Sequence, residues 1–142
     1  MNENKMILDF AEIKIGMEKK FAVTITELML ENFAKLSGDY NPLHMDKNYA
    51  KNTLFKKRVC HGMLLSSFFS RLVGMYLPGQ NALYLSQSLK FPTPCFINEK
   101  ITVLGKVVSK SEATQIITLQ NTIINESGKC LVDGNAKVLV RS

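Results

Sequence analysis

The sequence predicts an α+β domain in which an antiparallel sheet wraps around one buried helix. Two patterns lead to this expectation. Residues 62–76 are apolar or small on nearly every side, as in a helix that is buried all round. Beyond Gly79 the hydrophobic period changes to two, as in strands that bury one face. The chain has 142 residues, which fits a single domain over 1–142 better than two independent cores.

The first predicted elements are a short strand and a helix. The strand covers 21–25 and follows a turn at Gly16. Thr26 can cap a helix over 27–36, because a threonine hydroxyl accepts from the free N–H groups of a first helical turn. Four apolar side chains are spaced as the buried stripe of that helix, namely Leu28, Met29, Phe33 and Leu36.

A glycine and a proline are expected to end this helix. Gly38 suits its C-terminal end, since glycine readily adopts the left-handed conformation found there. Pro42 pushes Asn41 toward an extended conformation, which predicts an irregular loop. Asp46 can cap a second, short helix that runs through Ala50.

Four longer strands are predicted in the second half of the chain. The last one shows the clearest alternation, with small or apolar residues separated by polar ones. Short turns over 109–112 and 126–129 make consecutive strands antiparallel neighbours. The strands are expected at 82–91, 100–109, 113–125 and 129–141.

Composition excludes several classes of protein. With 46% hydrophobic and 21% charged residues, the chain has an ordinary globular composition rather than a disordered one. No apolar run reaches the length of a membrane span, and the first residues do not resemble a signal peptide. The three cysteines include no CxxC pair, which indicates reduced thiols in a cytoplasmic protein rather than disulfides or a zinc site.

The net charge of +6 indicates an anionic partner without identifying it, and a solvated basic face would also explain it. Nucleic acid is not expected, because zinc-finger and RNP signatures and regularly interleaved aromatic residues are missing. A small molecule that carries a nucleotide fits better. The densest basic cluster comprises Lys47, Lys51, Lys56, Lys57 and Arg58.

The chemistry is expected in one window that holds both histidines of the chain, His44 and His61. Asp39 and His44 share the predicted loop, so a carboxylate and an imidazole can converge there. Such a pair can hold, deprotonate and reprotonate a water molecule near neutral pH. The spacing alone leaves open a capping aspartate and a structural histidine.

Gly62 opens the predicted buried helix. The first N–H groups of a helix lack intrahelical partners, and with the positive end of the helix dipole they can receive an oxyanion. A glycine lets a ligand approach that backbone closely. A glycine required only for close packing is the alternative.

The segments GDYNPLH at 38–44 and HGMLL at 61–65 resemble the signature of R-specific enoyl-CoA hydratases, the MaoC-like group of hot-dog proteins. The likeness continues through 77–79 and 84–91, and thus covers nearly the whole chain. It implies the hot-dog fold and the reversible hydration of trans-2-enoyl-CoA to (R)-3-hydroxyacyl-CoA. It also implies a homodimer or a higher homo-oligomer.

The resemblance implies a role for each matching residue. Asp39 and His44 match the catalytic pair that binds and activates the water, and either can serve as the base. Gly62 matches the catalytic backbone donor that polarises the thioester carbonyl. Asn41 matches a position that shapes the loop at the substrate, and Ser70 matches a serine that lines the active site. A small residue for close helix packing is the alternative for Ser70.

Coenzyme A is polyanionic, so Lys56, Lys57 and Arg58 gain a possible purpose as substrate-binding residues. His61 is expected to make a structural hydrogen bond, because the reaction does not require a second imidazole. No metal and no separate cofactor are required, since coenzyme A enters as part of the substrate. Two histidines without a third ligand also make a poor zinc site.

Three alternatives stay open at this point. A 3-hydroxyacyl-acyl-carrier-protein dehydratase would have a similar active site, because hydration is reversible. A hot-dog acyl-CoA thioesterase is disfavoured by the hydratase motif. A non-catalytic acyl-CoA-binding protein is the third, because a fold does not guarantee an activity.

Overall fold

Five antiparallel strands form one sheet in the computed structural model, which describes residues 4–142. The sheet order is β1-β3-β4-β5-β2, so β1 and β2 form the two edges. The strands are β1 (Glu18–Thr24), β2 (Ala82–Gln87), β3 (Lys100–Ser111), β4 (Ile116–Asn125) and β5 (Cys130–Val140). The predicted α+β architecture with an antiparallel meander is therefore confirmed.

Four strands have a boundary that differs from the prediction by two residues or more. Strand β1 begins at Glu18 rather than at 21, and β4 begins at Ile116 rather than at 113. Strand β3 continues to Ser111, so the turn to β4 lies at 112–115. Strand β2 ends at Gln87 rather than at 91, after a shift in its register with β5. Beyond Gln87 the pairing with β5 is irregular, and Lys90 forms an isolated bridge with Asp133.

Helix α1 (Glu27–Ser37) has the predicted ends but a different buried face. The Met29 N–H donates to Thr26 Oγ1 over 3.2 Å, and Gly38 ends the helix with a φ of +82°. The residues buried against the sheet are Leu30 and Ala34. The predicted stripe is wrong at two of its positions, because Leu28 and Leu36 point away from the sheet and are 62% and 85% exposed.

The predicted irregular loop contains a single helical turn, α2 (Pro42–Met45). The Leu43 N–H donates to Asn41 Oδ1 over 3.0 Å, and proline is compatible with the first position of a helix. Helix α3 (Lys47–Lys51) follows, and Asp46 caps it as predicted.

The predicted buried helix is present as α4 (Gly62–Arg71), which continues into a π-helical turn over Leu72–Tyr76. Leu65, Phe69 and Leu72 belong to the buried core. Burial on all sides is wrong for the single chain, since one face is exposed. That exposed face consists of Met63, Ser67, Ser70 and Arg71. Within residues 4–142, no helix is long and apolar enough to cross a membrane.

Candidate active site

A cleft of about 420 Å³ lies at the N-terminal end of α4. Asp39, His44, His61 and Gly62 line it, so the structure brings the three predicted catalytic residues to one place. The remaining wall is mostly apolar and comes from α4, from the segment before it and from the segment that precedes β3. Phe55, Val59, Met63, Leu65, Phe91, Pro94 and Leu131 belong to this wall. Such a cleft suits a ligand with one polar reacting centre and an apolar body.

Short-range hydrogen bonds shape the backbone at Asp39. Its N–H donates to Ser37 Oγ over 3.1 Å, and its Oδ1 accepts from the Asn41 N–H over 3.1 Å. The second carboxylate oxygen, Oδ2, has no hydrogen-bond partner within residues 4–142. One oxygen is therefore used to hold the turn, and the other is available to a ligand.

The ring of His44 is held in one tautomer. Its Nδ1 lies 2.7 Å from the carbonyl oxygen of Val59. Because a carbonyl oxygen only accepts hydrogen bonds, Nδ1 carries the hydrogen, and Nε2 of the neutral ring is an acceptor. The backbone is fixed as well, since Arg58 Nε donates to the His44 carbonyl oxygen over 2.6 Å.

His61 lies directly beneath this pair and is 1% exposed. Its Nε2 is 3.1 Å from the carbonyl oxygen of Asp39, so Nε2 carries the hydrogen. Its ring stacks on the ring of His44, with 4.2 Å between centroids and 29° between planes. The expected hydrogen bond of His61 is thus present, and its partner is the backbone of a candidate catalytic residue.

The second ring nitrogen of His61 is unusual. Nδ1 is buried and has no hydrogen-bond partner within the described part of the chain. Leaving a buried polar group unpaired costs about 1–3 kcal/mol. Burial is also the main cause that lowers the pKa of His61 below its ordinary value, which favours the neutral ring.

Gly62 is the first residue of α4 and lines the cleft. The first N–H groups of a helix have no intrahelical acceptor and stand at the positive end of the helix dipole. A Cβ at this position would lie 2.8 Å from Cδ1 and Cε1 of Phe91. The packing explanation for this glycine is therefore supported, and its role as an oxyanion donor stays a prediction.

Two buried thiols in the cleft wall, Cys60 and Cys95, are poor nucleophiles. The Cys60 N–H donates to the Cys95 carbonyl oxygen over 2.7 Å, so the two residues lie opposite each other. Hydrogen bonding to Cys60, followed by burial, raises the pKa of the Cys95 thiol far above its ordinary value. The protonated thiol is the unreactive form. Among the described residues, no three His, Cys, Asp or Glu side chains are grouped so that they could hold a metal ion.

Ser70 does not line the catalytic cleft. It lies on a second cleft of about 470 Å³ along α4, together with Ser66, Ser67 and Tyr84. Burial raises the pKa of Tyr84 to about 12, so its hydroxyl stays protonated. Met63 lines both clefts and forms their common wall.

The three predicted cationic residues have different surroundings. Lys56 is exposed at a turn with a φ of +65°. The Nζ of Lys57 lies 4.5 Å from the ring centroid of Phe96, and Lys57 lines a separate pocket together with Arg58 and Asn98. Arg58 has a side chain that is only 10% exposed, and its Nη1 forms an ion pair of 2.7 Å with Glu27. Arg58 is therefore committed to internal contacts.

Sequence reasoning missed the contribution of the segment before β3. Phe91 was expected on a strand, and Cys95 was treated only as a reduced thiol. The structure places both in the wall of the catalytic cleft. Each lies about thirty residues from Gly62 in sequence, and no periodic pattern links positions that far apart in the chain.

Comparison with known proteins gives a consistent family assignment. The MaoC-like domain model matches residues 10–128. The chain is 38% identical over 141 residues to an (R)-specific enoyl-CoA hydratase of Rhodospirillum rubrum, with 99% of this chain and 97% of that protein covered. It is 36% identical to a mitochondrial 3-hydroxyacyl-[acyl-carrier-protein] dehydratase of Arabidopsis thaliana, over 90% of this chain and 73% of that protein.

The fold agrees with these matches. The unliganded R-hydratase of Pseudomonas aeruginosa has a TM-score of 0.90 and 34% identity, and the match covers 94% of this chain and 86% of that one. The hot-dog fold that the sequence predicts is thereby confirmed. Because the family model spans well over half of the chain and relatives above 30% identity cover nearly all of it, the chain belongs to the MaoC-like domain family of hot-dog proteins.

Proposed function

We propose that this protein is a hydro-lyase that reversibly hydrates trans-2-enoyl-CoA to (R)-3-hydroxyacyl-CoA. One observation carries the proposal: Asp39 and His44 line the same cleft as Gly62, the first residue of α4, while one polar side-chain atom of each, Asp39 Oδ1 and His44 Nδ1, is held by the backbone. The R. rubrum relative, which covers nearly the whole chain, is an (R)-specific enoyl-CoA hydratase. Chemistry and relationship therefore point to the same reaction.

In this proposal the Gly62 N–H donates to the thioester carbonyl oxygen. As water adds to C3, negative charge develops on that oxygen in an enolate-like transition state. A donor that is already oriented at a helix N-terminus stabilises this charge without reorganising. The benefit is greatest in the transition state, where the charge is largest.

Asp39 and His44 would hold the water between them. Both exposed atoms, Oδ2 and Nε2, are acceptors, so the water donates one hydrogen to each and turns a lone pair toward C3. As the C3–O bond forms, one of the two residues takes a proton from the water. A proton is then returned to C2 as the enolate collapses, which completes the addition of water across the double bond.

The acyl-CoA itself would extend from this cleft over basic surface. Lys56 and Lys57 are exposed near its wall and can contact the phosphates of coenzyme A. Arg58 is held by its ion pair with Glu27 and binds the backbone of His44. A contact between Arg58 and a phosphate of the substrate stays a prediction. Ser70 stays a predicted substrate-lining residue through the second cleft.

A dehydratase that acts on acyl-carrier-protein substrates is the second candidate. The A. thaliana relative is named for that activity, and the same residues would catalyse the reverse reaction. A thioesterase finds no comparable support, because the relatives compared above are named as a hydratase and a dehydratase. The carrier attached to the substrate distinguishes the first two candidates.

We also propose a homodimer. Strand β2 leaves its outer backbone groups unpaired at a sheet edge, which is the usual place for strand pairing between chains. Leu83 and Leu85 on that strand are 48% and 49% exposed. The second cleft joins β2 to the exposed face of α4, so this surface is continuous.

A cytoplasmic location belongs to the same proposal. All three cysteines are free thiols. A reducing compartment keeps such thiols free, including the adjacent pair in the cleft wall.

The hydratase activity is tested with crotonyl-CoA. We expect loss of the enoyl absorbance without release of free thiol, whereas a thioesterase would release thiol. Because the water is held on one side of the thioester plane, we expect a single enantiomer, which an (R)-specific 3-hydroxyacyl-CoA dehydrogenase oxidises. Oxidation only by the (S)-specific enzyme would contradict the stereochemistry. Faster turnover of an acyl-carrier-protein substrate would favour the second candidate.

The variants Asp39→Asn and His44→Gln should each lower kcat about 10²–10⁴-fold, because they keep shape but remove proton transfer. Circular dichroism should show an unchanged fold, and steady-state kinetics with crotonyl-CoA measures the loss. Asp9→Asn, which changes a carboxylate outside the cleft, is the matched control. A kcat close to the wild-type value in either site variant would remove that residue from the mechanism.

The double variant Lys56→Glu/Lys57→Glu reverses two positive charges. It should raise KM for crotonyl-CoA roughly 3- to 10-fold with little change in kcat, since exposed charges contribute modestly to binding. The control is Lys20→Glu/Lys106→Glu, which changes the net charge by the same amount at exposed positions of β1 and β3. A crotonyl thioester of N-acetylcysteamine lacks the phosphates and should show no KM difference. An equal KM for crotonyl-CoA in all three proteins would exclude this contact.

The dimer is tested by light scattering. The wild-type protein should have twice the 16.0 kDa mass of one chain. Leu83→Asp/Leu85→Asp should be monomeric, because it places like charges at the paired edges. Val108→Asp on β3, which is 41% exposed in the wild type, should stay dimeric. A monomeric mass for the active wild-type protein would rule out the proposal.

A further inference from the structure

His61 has no place in the proposed proton transfers, yet it is an imidazole at a fully buried position. It is 1% exposed, and its Nδ1 has no partner within residues 4–142. An apolar side chain of similar size would fill the same space without an unpaired nitrogen. Buried polar groups with unmet hydrogen bonds are rare in proteins, and they call for a reason other than packing.

The first reason is the contact with Asp39. Within the described chain, the other hydrogen bonds of Asp39 reach only Ser37 and Asn41, each two residues away. These bonds shape the turn but do not fix it to the rest of the protein. The bond from His61 Nε2 to the Asp39 carbonyl oxygen crosses 22 positions of sequence. It therefore ties the exposed turn of Asp39 to the N-terminal end of α4.

The second reason is the contact with His44. The bond to Val59 fixes one edge of the His44 ring but leaves rotation of the ring about that bond open. The ring of His61 lies against its face at 4.2 Å and limits that rotation. Phe33 also contacts His61, edge-on, with ring centroids 4.9 Å apart and 61° between the ring planes. The ring of His61 is therefore held between Phe33 and His44.

We propose that His61 is a positioning residue that sets the distance and angle between Asp39 and His44 through these two contacts. The inference rests on the proposed hydratase function, because the distance and angle between Asp39 and His44 matter only for holding the water that attacks the substrate. His61 directly precedes Gly62, the proposed oxyanion donor. Its side chain thus contacts both Asp39 and His44.

The charge of His61 matters to the same role. A neutral ring allows His44 to carry a proton taken from water without repulsion at 4.2 Å. The ionisable groups that act on the His61 ring are His44, Asp39 and Arg58. The thiols of Cys60 and Cys95 line the same cleft. Burial lowers the pKa of His61, which keeps its ring neutral.

Three variants separate the two contacts. His61→Gln keeps an N–H donor for Asp39 but loses the ring, and His61→Phe keeps the ring but loses the donor. His61→Ala loses both. We expect His61→Ala to lower kcat for crotonyl-CoA about 10²-fold with KM changed less than about threefold, since small misplacements of reacting groups have effects of this size. The variants His61→Gln and His61→Phe should each keep part of the kcat that His61→Ala loses.

Phe69→Leu is the matched control, because it removes buried volume from the same core two turns further along α4 and does not line the catalytic cleft. It should lower the melting temperature but leave kcat and KM for crotonyl-CoA close to the wild-type values. If His61→Gln and His61→Phe recover no kcat, or if Phe69→Leu lowers kcat as much as His61→Ala, His61 only fills the core.

A measurement without substrate separates this inference from the proposed function. The chain has two histidines, so isotope-labelled histidine in His61→Ala leaves only the signals of His44. We expect the His44 Nδ1–H signal to be sharp in the wild type and broadened by exchange with water in His61→Ala. An unchanged signal would overturn the positioning role. Failure of the wild type to hydrate any enoyl thioester, with the signal broadened as expected, would count against the hydratase proposal alone.

Discussion

The fold around the candidate site depends on one steric constraint, the close approach of the long helix to the inner face of the sheet. Leu72 fits directly above Gly105, where a Cβ would lie 2.6 Å from Leu72 Cδ2. This contact holds the C-terminal part of the helix against β3, and Gly62 at the other end of the helix lines the cleft. The first N–H groups of a helix need partners from outside the helix. In the proposed function the thioester oxygen of the substrate is the partner of the Gly62 N–H.

The segment over 58–62 connects Gly62 to the turn that carries Asp39 and His44. Its residues hold this turn at three points: Arg58 binds the backbone of His44, the Val59 carbonyl oxygen fixes the ring of His44, and His61 binds the backbone of Asp39. The next residue, Gly62, is the proposed donor to the substrate. The proposed proton acceptors and the proposed oxyanion donor are therefore positioned from a single short stretch of chain. This connection explains how an exposed turn can keep a fixed geometry relative to the helix.

The single chain leaves part of its apolar surface without cover. The exposed face of α4, the second cleft and the edge of β2 adjoin one another, and together they include hydroxyl groups, leucines and unpaired backbone groups. Met63 belongs both to this surface and to the wall of the catalytic cleft.

Local patterns in the sequence determined the buried helix, the alternation of β5, the cap at Thr26 and the spacing of Asp39 and His44. Each of these depends on interactions within a few residues, such as a side chain that caps its own helix. Only the tertiary structure decided that Leu28 and Leu36 face away from the core, that Arg58 braces His44 and that His61 joins the pair. The contacts of Arg58 with His44 and of His61 with Asp39 link positions 14 and 22 residues apart, and whether they form depends on the path of the whole chain around the helix. Periodicity and capping are local properties, and such long-range contacts are not.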